Sequence, residues 1–226
     1  MTTPREDGTG LRVAYFGPAG TFTEEAARRH APKAELIPYP TIAATAGAVA
    51  SKAVDQAVVP IENSLQGAVT DTLDVLIHGE GTKIRQEIVL AIVHNLVAKP
   101  GTPRESIQTV YSHPQALGQC RYYLERNYPK ATLAASLSTA AAVEQAMASD
   151  GNAAAIAPRR AAELYGAEIL AEGIQDAENN VTRFVVLGAQ DHPPTGDDKT
   201  SACFSFDEDK PGQLLGVMTE FAERKL

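Results

Sequence analysis

The segment Glu178-Asn179-Asn180-Val181-Thr182-Arg183-Phe184 joins a polar loop to an apolar run at 184–187, which Gly188 closes. Such a run is typical of a buried β-strand, and polar side chains at the start of a buried strand often lie at the mouth of a cleft. Thr182 offers a hydroxyl, and Arg183 offers a planar set of donors that suits a carboxylate. The alternative interpretation is an ordinary strand start with a surface arginine. The rest of the chain decides between the two.

The composition is that of a soluble globular protein. The 226 residues, 44% of them apolar and 21% charged, are enough for more than one domain. A net charge of −8 argues against a nucleic-acid partner, and it means that an anionic ligand needs a local positive site. Cys120 and Cys203 lie far apart, which predicts a reducing cytosol with neither a disulfide scaffold nor a zinc site. Residues 1–10 do not resemble a signal peptide and no run is long enough to cross a membrane, so we expect a cytoplasmic protein without a membrane partner.

Alternating strand and helix patterns predict a first α/β lobe over about residues 11–86. Strands are predicted at 12–16 and 56–61, with helices at 21–30 and 42–53. Thr21 and Glu24 form a capping-box pattern after a glycine turn, whose free N–H groups suit an anion, although ordinary strand-to-helix turns look the same. The polar turn 62–67 follows the second strand, where ligand sites of open α/β sheets gather.

A second lobe, over about residues 87–180, repeats this pattern. The apolar segment 84–98 is rich in β-branched residues, which predicts one long or bent strand that leaves the first lobe and enters the second. Strands are predicted at 110–113, 131–135, 153–157 and 169–170, with helices beginning at Pro114, Ser138-Thr139 and Pro158. Gln115 and Gln119 share a helix face. Residues 181–190 then return to the first lobe.

These elements predict an α/β fold of two lobes, each with a mostly parallel sheet, around a hinged cleft. Residues 191–199 are a linker by composition. A strand at 200–206 and an amphipathic helix opened by Pro211-Gly212 follow, and they are too short to bury a core of their own. We therefore expect residues 200–226 to be a third domain that is cut short.

Four polar clusters fall where the cleft walls are expected, and none has metal-ligand spacing or a nucleotide-binding fingerprint. Together with their flanking residues they closely resemble the prephenate dehydratase family. Five stretches carry the resemblance in order: GPAGTFTEEA (17–26), VVPIENSLQGAVTDTLDVL (58–76), YSHPQALGQC (111–120), STAAA (138–142) and NVTRF (180–184). The resemblance implies a catalytic domain over residues 1–190, a fold like that of type II periplasmic binding proteins, and no cofactor or metal.

The family converts prephenate to phenylpyruvate with release of carbon dioxide and water, in the biosynthesis of phenylalanine. The resemblance places Thr182 nearest the leaving hydroxyl. Threonine is a very weak acid, so we expect Thr182 to hydrogen-bond the departing oxygen and to relay a proton from elsewhere. The resemblance also implies that Asn63 and Gln119 hydrogen-bond the substrate, although Asn63 could instead cap its own turn.

Three charged or titratable residues of the expected site leave alternatives open. Arg183 is the expected carboxylate anchor, or else it braces the hinge in a structural ion pair. Glu62 would repel a dianion, so a catalytic Glu62 must be protonated or turned toward a cation such as Arg183. His113 is a candidate proton donor, but it precedes Pro114 and could only cap the helix.

The remaining expected substrate-binding residues are drawn from the same clusters. They are Phe184, Ser64, Gly67, Thr21, Ser112, Gln115, Ser138, Thr139 and Asn180. Those at helix N-termini present N–H groups to an anion. We expect His30, His78, His94 and His192, which fall in no cluster, to be surface or packing residues.

The tail TSACFSFDEDKPGQLLGVMTEFAERK (200–225) resembles the opening strand and helix of an ACT regulatory domain. In this family that domain binds phenylalanine, so the resemblance implies L-phenylalanine as allosteric effector of the full-length protein and a homodimer or homotetramer. We expect little allosteric response from the present chain.

The main alternative function is that of a small-anion binding protein without turnover, because two lobes around a hinged cleft also describe solute receptors. Two related activities lack their sequence requirements. A chorismate mutase needs a helical domain that the sequence does not contain, and a prephenate dehydrogenase needs a dinucleotide fingerprint.

Overall fold

The computed structural model describes residues 10–79, 81–208 and 210–225. They form two compact units that divide between Pro193 and Pro194. The first unit contains both predicted α/β lobes.

The elements of the first lobe alternate along the chain as the sequence predicts. They are β1 (Arg12–Phe16), α1 (Phe22–His30), β2 (Glu35–Tyr39), α2 (Ile42–Ala50), β3 (Gln56–Asn63), β4 (Gly67–Ala68), α3 (Thr70–His78) and β5 (Lys83–Ala91). Threonine hydroxyls begin the first two helices: Thr21 accepts from the N–H of Glu24 and Thr41 from that of Ala44.

The second lobe follows after a break at residues 92–94. Its elements are β6 (Asn95–Ala98), a 3₁₀ turn (Arg104–Ser106), β7 (Thr109–Ser112), α4 (Pro114–Gln119), α5 (Arg121–Asn127), β8 (Thr132–Ala135), α6 (Thr139–Ala148), β9 (Ala153–Ala157), α7 (Arg159–Tyr165) and β10 (Glu168–Ala171). The chain then returns to the first lobe as β11 (Val181–Gly188).

The two sheets repeat one arrangement. The first has the order β2-β1-β3-β11-β5, with β4 paired to β3, and the second has the order β10-β6-β9-β7-β8. In each sheet one strand, β11 or β6, runs antiparallel to both of its neighbours, and the other strands of the path run in one direction. Both antiparallel strands, β6 and β11, directly follow a crossing of the chain between the lobes. These crossings account for the one antiparallel strand in each sheet. The predicted fold class, two α/β lobes with mostly parallel strands, is confirmed.

Each sheet buries both of its faces under helices. In the first lobe, Val13, Tyr15, Phe184 and Val186 pack toward α1, whereas residues such as Val59 pack on the other side with α2. In the second lobe, α4 and α5 cover one face and α6 and α7 cover the other. Strands buried on both faces read as continuous apolar runs, which is why the sequence predicts them well.

Four differences from the sequence-based expectations have simple causes. The strand β2 was not expected, because Pro38 interrupts its pattern; it is an edge strand, where proline is tolerated. The segment 84–98 is two strands, and β5 pairs with β11 as far as Ala91, so the lobe boundary lies at residues 92–94. The helix expected after Pro114 is divided into α4 and α5 at Cys120.

The fourth difference lies in the second unit. The expectation of a strand at residues 200–206 is wrong, since these residues have no regular structure and the described part of the second unit contains no strand for them to pair with. The expected helix is present as α8 (Gln213–Glu223), which begins after Gly212 at a φ of +90°. Leu214, Leu215 and Met218 on α8 are exposed. The resemblance of this unit to an ACT domain stays a prediction.

Candidate active site

A bulge between β3 and β11 sets which side chains face each other at the ends of these strands. Phe184 pairs with Pro60, but Arg183 pairs with Glu62 and Thr182 with Asn63. Strand β3 therefore contains one extra residue at this point. Without that residue, Thr182 would face Glu62. The bulge places an amide, in place of a carboxylate, beside the Thr182 hydroxyl.

The orientation of the Asn63 amide is fixed by the backbone. Its Oδ1 accepts from the N–H groups of Leu65 at 3.0 Å and Gln66 at 3.2 Å, which can only donate. Its Nδ2 therefore faces the other way, where it donates to Asn180 Oδ1 at 2.8 Å and to Thr182 Oγ1 at 2.9 Å. Asn63 therefore caps its own turn and also contacts Thr182, whereas its expected hydrogen bond to the substrate stays a prediction.

From Asn63 a chain of side-chain hydrogen bonds runs across the junction of the lobes. Asn180 Nδ2 donates to Gln119 Oε1 at 3.0 Å, and the same oxygen lies 2.8 Å from His94 Nε2. Asn63 and Asn180 are buried, with 7% and 1% of their surface exposed. The chain of residues Thr182, Asn63, Asn180, Gln119 and His94 is called the amide chain below.

Of the two expectations for His94, a surface or a packing residue, the structure supports packing, and it adds a polar contact with Gln119. His94 is 3% exposed, its ring lies edge-on to Phe22 with centroids 5.6 Å apart, and its backbone N–H donates to Gln175 Oε1. Burial lowers the pKa of His94, against an opposing effect of the bond to Gln119. The sequence carries no local signal for this contact, because His94 is a lone histidine in the apolar segment 84–98.

The Thr182 hydroxyl keeps its proton uncommitted. Its hydrogen bond within the described part of the chain is the one that it accepts from Asn63. Since a hydroxyl can donate while it accepts, Thr182 can direct its O–H to a bound oxygen, and donation from Asn63 makes that O–H a better donor.

Arg183 is engaged on the opposite face of β11. Its Nη1 lies 2.5 Å from Glu62 Oε2 and its Nη2 lies 2.6 Å from Glu87 Oε2. Alternate residues of a strand point to opposite faces, so Arg183 points away from the face that carries Thr182 and Phe184. The geometry supports the structural ion pair, in which Glu62 turns toward a cation, over Arg183 as the carboxylate anchor and Glu62 as a catalytic group.

The glycine turn before α1 is occupied by a side chain of the protein itself. The Gly20 N–H donates to Glu24 Oε2 at 2.5 Å, and Glu24 Oε1 lies 2.7 Å from Arg28 Nε and 3.1 Å from Arg160 Nη2. Burial alone raises the pKa of Glu24, but the Gly20 N–H and the two guanidinium groups outweigh it and lower that pKa below its ordinary value. Thr21 caps α1 beside this carboxylate, so the anion expected at this turn is Glu24 itself.

The same turn joins the lobes. A Cβ on Gly20 would lie 3.2 Å from the Cα of Ala161 and 3.3 Å from the Cβ of Ala140, both in the second lobe. Gly20 also has a φ of +84°, which favours glycine. The Glu24–Arg160 pair and the Gly20 contact therefore hold α1 against α6 and α7.

The comparisons with known proteins identify a family. The family model described as prephenate dehydratase matches residues 13–192. The chain belongs to the prephenate dehydratase family. All five residues of the amide chain lie within the matched range.

Individual relatives of the prephenate dehydratase family are similar over nearly the whole chain. A bifunctional chorismate mutase/prephenate dehydratase from Stutzerimonas stutzeri is 42% identical over 93% of this chain and 57% of its own length. Arogenate dehydratase 5 from Arabidopsis thaliana is 41% identical over 97% of this chain and 52% of its own length. The chain thus spans about half the length of these curated relatives.

The fold is also found in a solved prephenate dehydratase. The crystal structure of the enzyme from Arthrobacter aurescens, in complex with L-Phe, has a TM-score of 0.83 and 33% identity to this chain. The match covers 95% of this chain and 73% of that one.

Several residues that the prephenate dehydratase resemblance singles out lie at helix starts of the second lobe. His113 caps α4, and its Nδ1 accepts from the N–H of Gln115 at 3.3 Å, which supports capping over proton donation. Ser138 caps α6 through the N–H of Ala141, with Thr139 as the first helical residue. Ser112 is buried, and its hydroxyl donates to the carbonyl of Ile156 at 2.7 Å.

Three other expected contacts have structural roles. Phe184 is 1% exposed and packs in the core of the first lobe, which supports a packing role over contact with the substrate. Ser64 donates to the Asn179 carbonyl and accepts from the Val181 N–H, which ties the ends of β3 and β11 together. Gly67 pairs with Asn63 across the β3–β4 hairpin at a φ of +81°.

A shallow cavity of about 390 Å³ lies in the second lobe, beside the starts of α4 and α6. Its lining residues are His113, Pro114, Ala135, Ser136, Leu137 and Gln145. The described ranges contain no group of three or more His, Cys, Asp or Glu side chains arranged to hold a metal ion. None of the helices in these ranges has the length and hydropathy that a bilayer crossing requires.

Proposed function

We propose that this protein is a prephenate dehydratase, which converts prephenate to phenylpyruvate, carbon dioxide and water in phenylalanine biosynthesis. The observation that carries the proposal is the amide chain. It joins Thr182 to Gln119 across the lobe junction and leaves the Thr182 proton and the Gln119 Nε2 without acceptors in the described part of the protein.

The proposed reaction breaks two bonds of the substrate ring. The ring carboxylate leaves as carbon dioxide, and the electron pair of the broken C–C bond enters the ring as the C–O bond to the hydroxyl breaks. The ring becomes aromatic, which provides the driving force, so the protein mainly assists the departing oxygen. Thr182 donates its O–H to that oxygen, supported by the bond from Asn63, and relays the proton that completes the water molecule.

The proposal assigns the substrate carboxylates to neutral donors. Arg183 is committed to Glu62 and Glu87, and Arg28 and Arg160 are committed to Glu24. Gln119 Nε2 can donate two hydrogen bonds, and the helix starts at Ser138-Thr139 and His113 carry the positive ends of α6 and α4. These groups can hold an anion without a paired cation at the reacting carbon.

The regulation and assembly of the protein belong to the same proposal. The Arthrobacter aurescens relative binds L-Phe, which supports L-phenylalanine as an effector of the full-length protein. We further propose a homodimer or homotetramer in the cytoplasm, with no nucleic-acid or membrane partner.

Measurement of the product tests the activity directly. The 226-residue chain is incubated with prephenate, base is added, and the absorbance of phenylpyruvate is followed. Turnover is expected. Saturable binding of prephenate without phenylpyruvate would favour the alternative, a small-anion binding protein.

The arogenate dehydratase match supports a second candidate substrate, arogenate, and the same assay with arogenate followed by detection of phenylalanine distinguishes them. Turnover of arogenate with no turnover of prephenate would replace the proposed substrate and keep the reaction type.

The proposed role of Thr182 predicts opposite results for two small substitutions. Thr182→Ser keeps a hydroxyl in place and should keep most of kcat, whereas Thr182→Val removes the donor and should lower kcat by about 100-fold or more. A fully active Thr182→Val variant would remove Thr182 from the mechanism.

A further inference from the structure

Two buried polar atoms of the amide chain have no hydrogen-bond partner in the part of the protein that the structure describes. In the described residues, three buried side-chain atoms have no hydrogen-bond partner: His94 Nδ1, Gln119 Nε2 and Arg183 Nε. Two of the three belong to His94 and Gln119, which contact each other at 2.8 Å. Buried unpaired polar atoms are costly and usually have a function, so this pair requires an explanation.

The direction of every hydrogen bond in the amide chain follows from its backbone anchor. Asn63 Nδ2 is a donor, so the Asn180 atom that it meets is Oδ1, and Asn180 Nδ2 must then donate to an oxygen of Gln119. That oxygen, Oε1, can only accept, so His94 Nε2 must carry a hydrogen. The buried ring is neutral and keeps its lone pair on Nδ1, which matches the unpaired Nδ1 atom.

This arrangement holds the Gln119 amide in one orientation. Its Oε1 accepts from both Asn180 and His94, and a rotated amide would place its NH₂ group against two donors. Losing both bonds and burying unpaired donors would be strongly unfavourable. The Gln119 Nε2 hydrogens are thereby kept away from the protein's own acceptors and remain available to a ligand.

We propose that His94 is a positioning residue of the dehydratase site, whose Nε2–H fixes the Gln119 amide so that Gln119 Nε2 donates to the substrate. His94 acts through Gln119 and does not itself exchange a proton with the substrate. The inference rests on the proposed dehydratase function, which gives Gln119 its ligand.

The first test is spectroscopic and needs no activity. In nitrogen-15 NMR of the histidine-labelled protein at neutral pH, the ring signals that disappear in His94→Gln identify His94. They should be those of a neutral ring with protonated Nε2 and unprotonated Nδ1. A His94 ring that is protonated at Nδ1, or at both nitrogens, overturns the proposal even if the chain is an active dehydratase. An inactive chain with the expected tautomer would instead contradict the proposed function.

The second test uses kinetics. His94→Leu should lower kcat for prephenate about 10- to 100-fold, because a misoriented Gln119 amide no longer meets the transition state. His94→Gln carries an amide donor near the Nε2 position and should stay within about fivefold of wild type. Equal losses in both variants would overturn the proposal.

A double-mutant cycle separates positioning from general stability. If His94 acts through Gln119, adding His94→Leu to Gln119→Leu should change kcat by less than about twofold. Multiplication of the two single losses would show independent roles and overturn the proposal.

The chain offers a matched control. His30 Nε2 contacts Gln56 Oε1 at 2.5 Å, at the end of β3 opposite to Asn63. His30→Leu removes the same type of bond and should leave kcat within about twofold of wild type. A loss as large as that of His94→Leu would attribute both effects to altered folding.

Discussion

Asn63→Asp is the substitution that probes the amide chain most directly. It replaces Nδ2 by an oxygen of nearly the same size and leaves the other oxygen with the N–H groups of Leu65 and Gln66. The changed atom faces three partners: Asn180 Oδ1 at 2.8 Å, Thr182 Oγ1 at 2.9 Å and the Val181 carbonyl oxygen at 3.2 Å. The contacts with Asn180 Oδ1 and with the Val181 carbonyl become contacts between acceptors, whereas the Thr182 hydroxyl can turn to donate.

A reversal of the amide chain relieves the contact with Asn180. Asn180 turns its NH₂ group to the new carboxylate, Gln119 turns its own toward Asn180, and His94 moves its proton from Nε2 to Nδ1. The carboxylate then accepts from two backbone N–H groups, from Asn180 and from the Thr182 hydroxyl, which fills its four acceptor sites. Because every bond except the one to the Val181 carbonyl is replaced, we expect a loss of stability of about 2 kcal/mol.

The loss of activity should be much larger than the loss of stability. The reversed chain directs the Thr182 proton into the protein and presents an oxygen of Gln119 where it had presented donors. Removal of one preorganised donor costs about 10²- to 10³-fold in kcat, so Asn63→Asp should lose at least that much. Phenylpyruvate formation, thermal unfolding and the nitrogen-15 spectrum of His94 measure the three effects.

A matched charge control is Asn127→Asp, at the exposed end of α5, which should leave kcat unchanged. The reasoning fails if Asn63→Asp keeps more than about a tenth of the wild-type kcat. Because a tenfold change in kcat corresponds to about 1.4 kcal/mol, the loss of transition-state stabilisation would then be smaller than that expected for one preorganised donor. It also fails if activity is lost while the His94 tautomer stays at Nε2.

Three further predictions concern charges and packing away from the amide chain. Arg183→Met should lower the free energy of unfolding by about 1–2 kcal/mol, a value that allows for the partial exposure of both ion pairs. It should change KM for prephenate less than about threefold. A KM raised about 30-fold or more would support Arg183 as the carboxylate anchor. The lowered pKa of Glu24 in the folded protein means that its contribution to stability is present above the unfolded value of about 4.3 and is lost as the pH falls through the folded pKa. Thermal melts from pH 7 to pH 3 should therefore drop more steeply for wild type than for Glu24→Gln, and parallel curves would contradict the assignment. Gly20→Ala should lower stability by about 1–3 kcal/mol, because its Cβ meets Ala161 at a strained φ, and an unchanged melting temperature would refute that contact.

The sequence predicted most of the first unit because its signals are local. Runs such as 153–157 and 181–188 are apolar along their whole length, and hydroxyl or proline caps mark the starts of α1, α4 and α6. The weakest predictions concern segments whose state depends on neighbours. The edge strand β2 forms because β1 lies beside it, and residues 200–206 have no partner strand.

The site residues divide in the same way. The five motif stretches contain Asn63, Asn180, Gln119 and Thr182, so the sequence identifies these four residues as candidates for the site. His94 lies in none of these stretches. A lone histidine in an apolar run gives no signal of a role in the site until its neighbours are known. The chemistry of a guanidinium and the family resemblance point to Arg183 and Phe184 as substrate contacts, whereas strand alternation and core packing give them other partners.

The amino-acid sequence by itself determined the α/β alternation, the two lobes, the helix caps and the family, because periodicity, capping and motif order are properties of short stretches. Only the tertiary structure decided that one extra residue in β3 brings Asn63 to Thr182, that Glu62 turns to Arg183, and that a histidine from the lobe crossing meets Gln119. Register, bulges and contacts between distant segments depend on how whole strands and lobes pack, and packing energy is shared among residues that no local pattern connects.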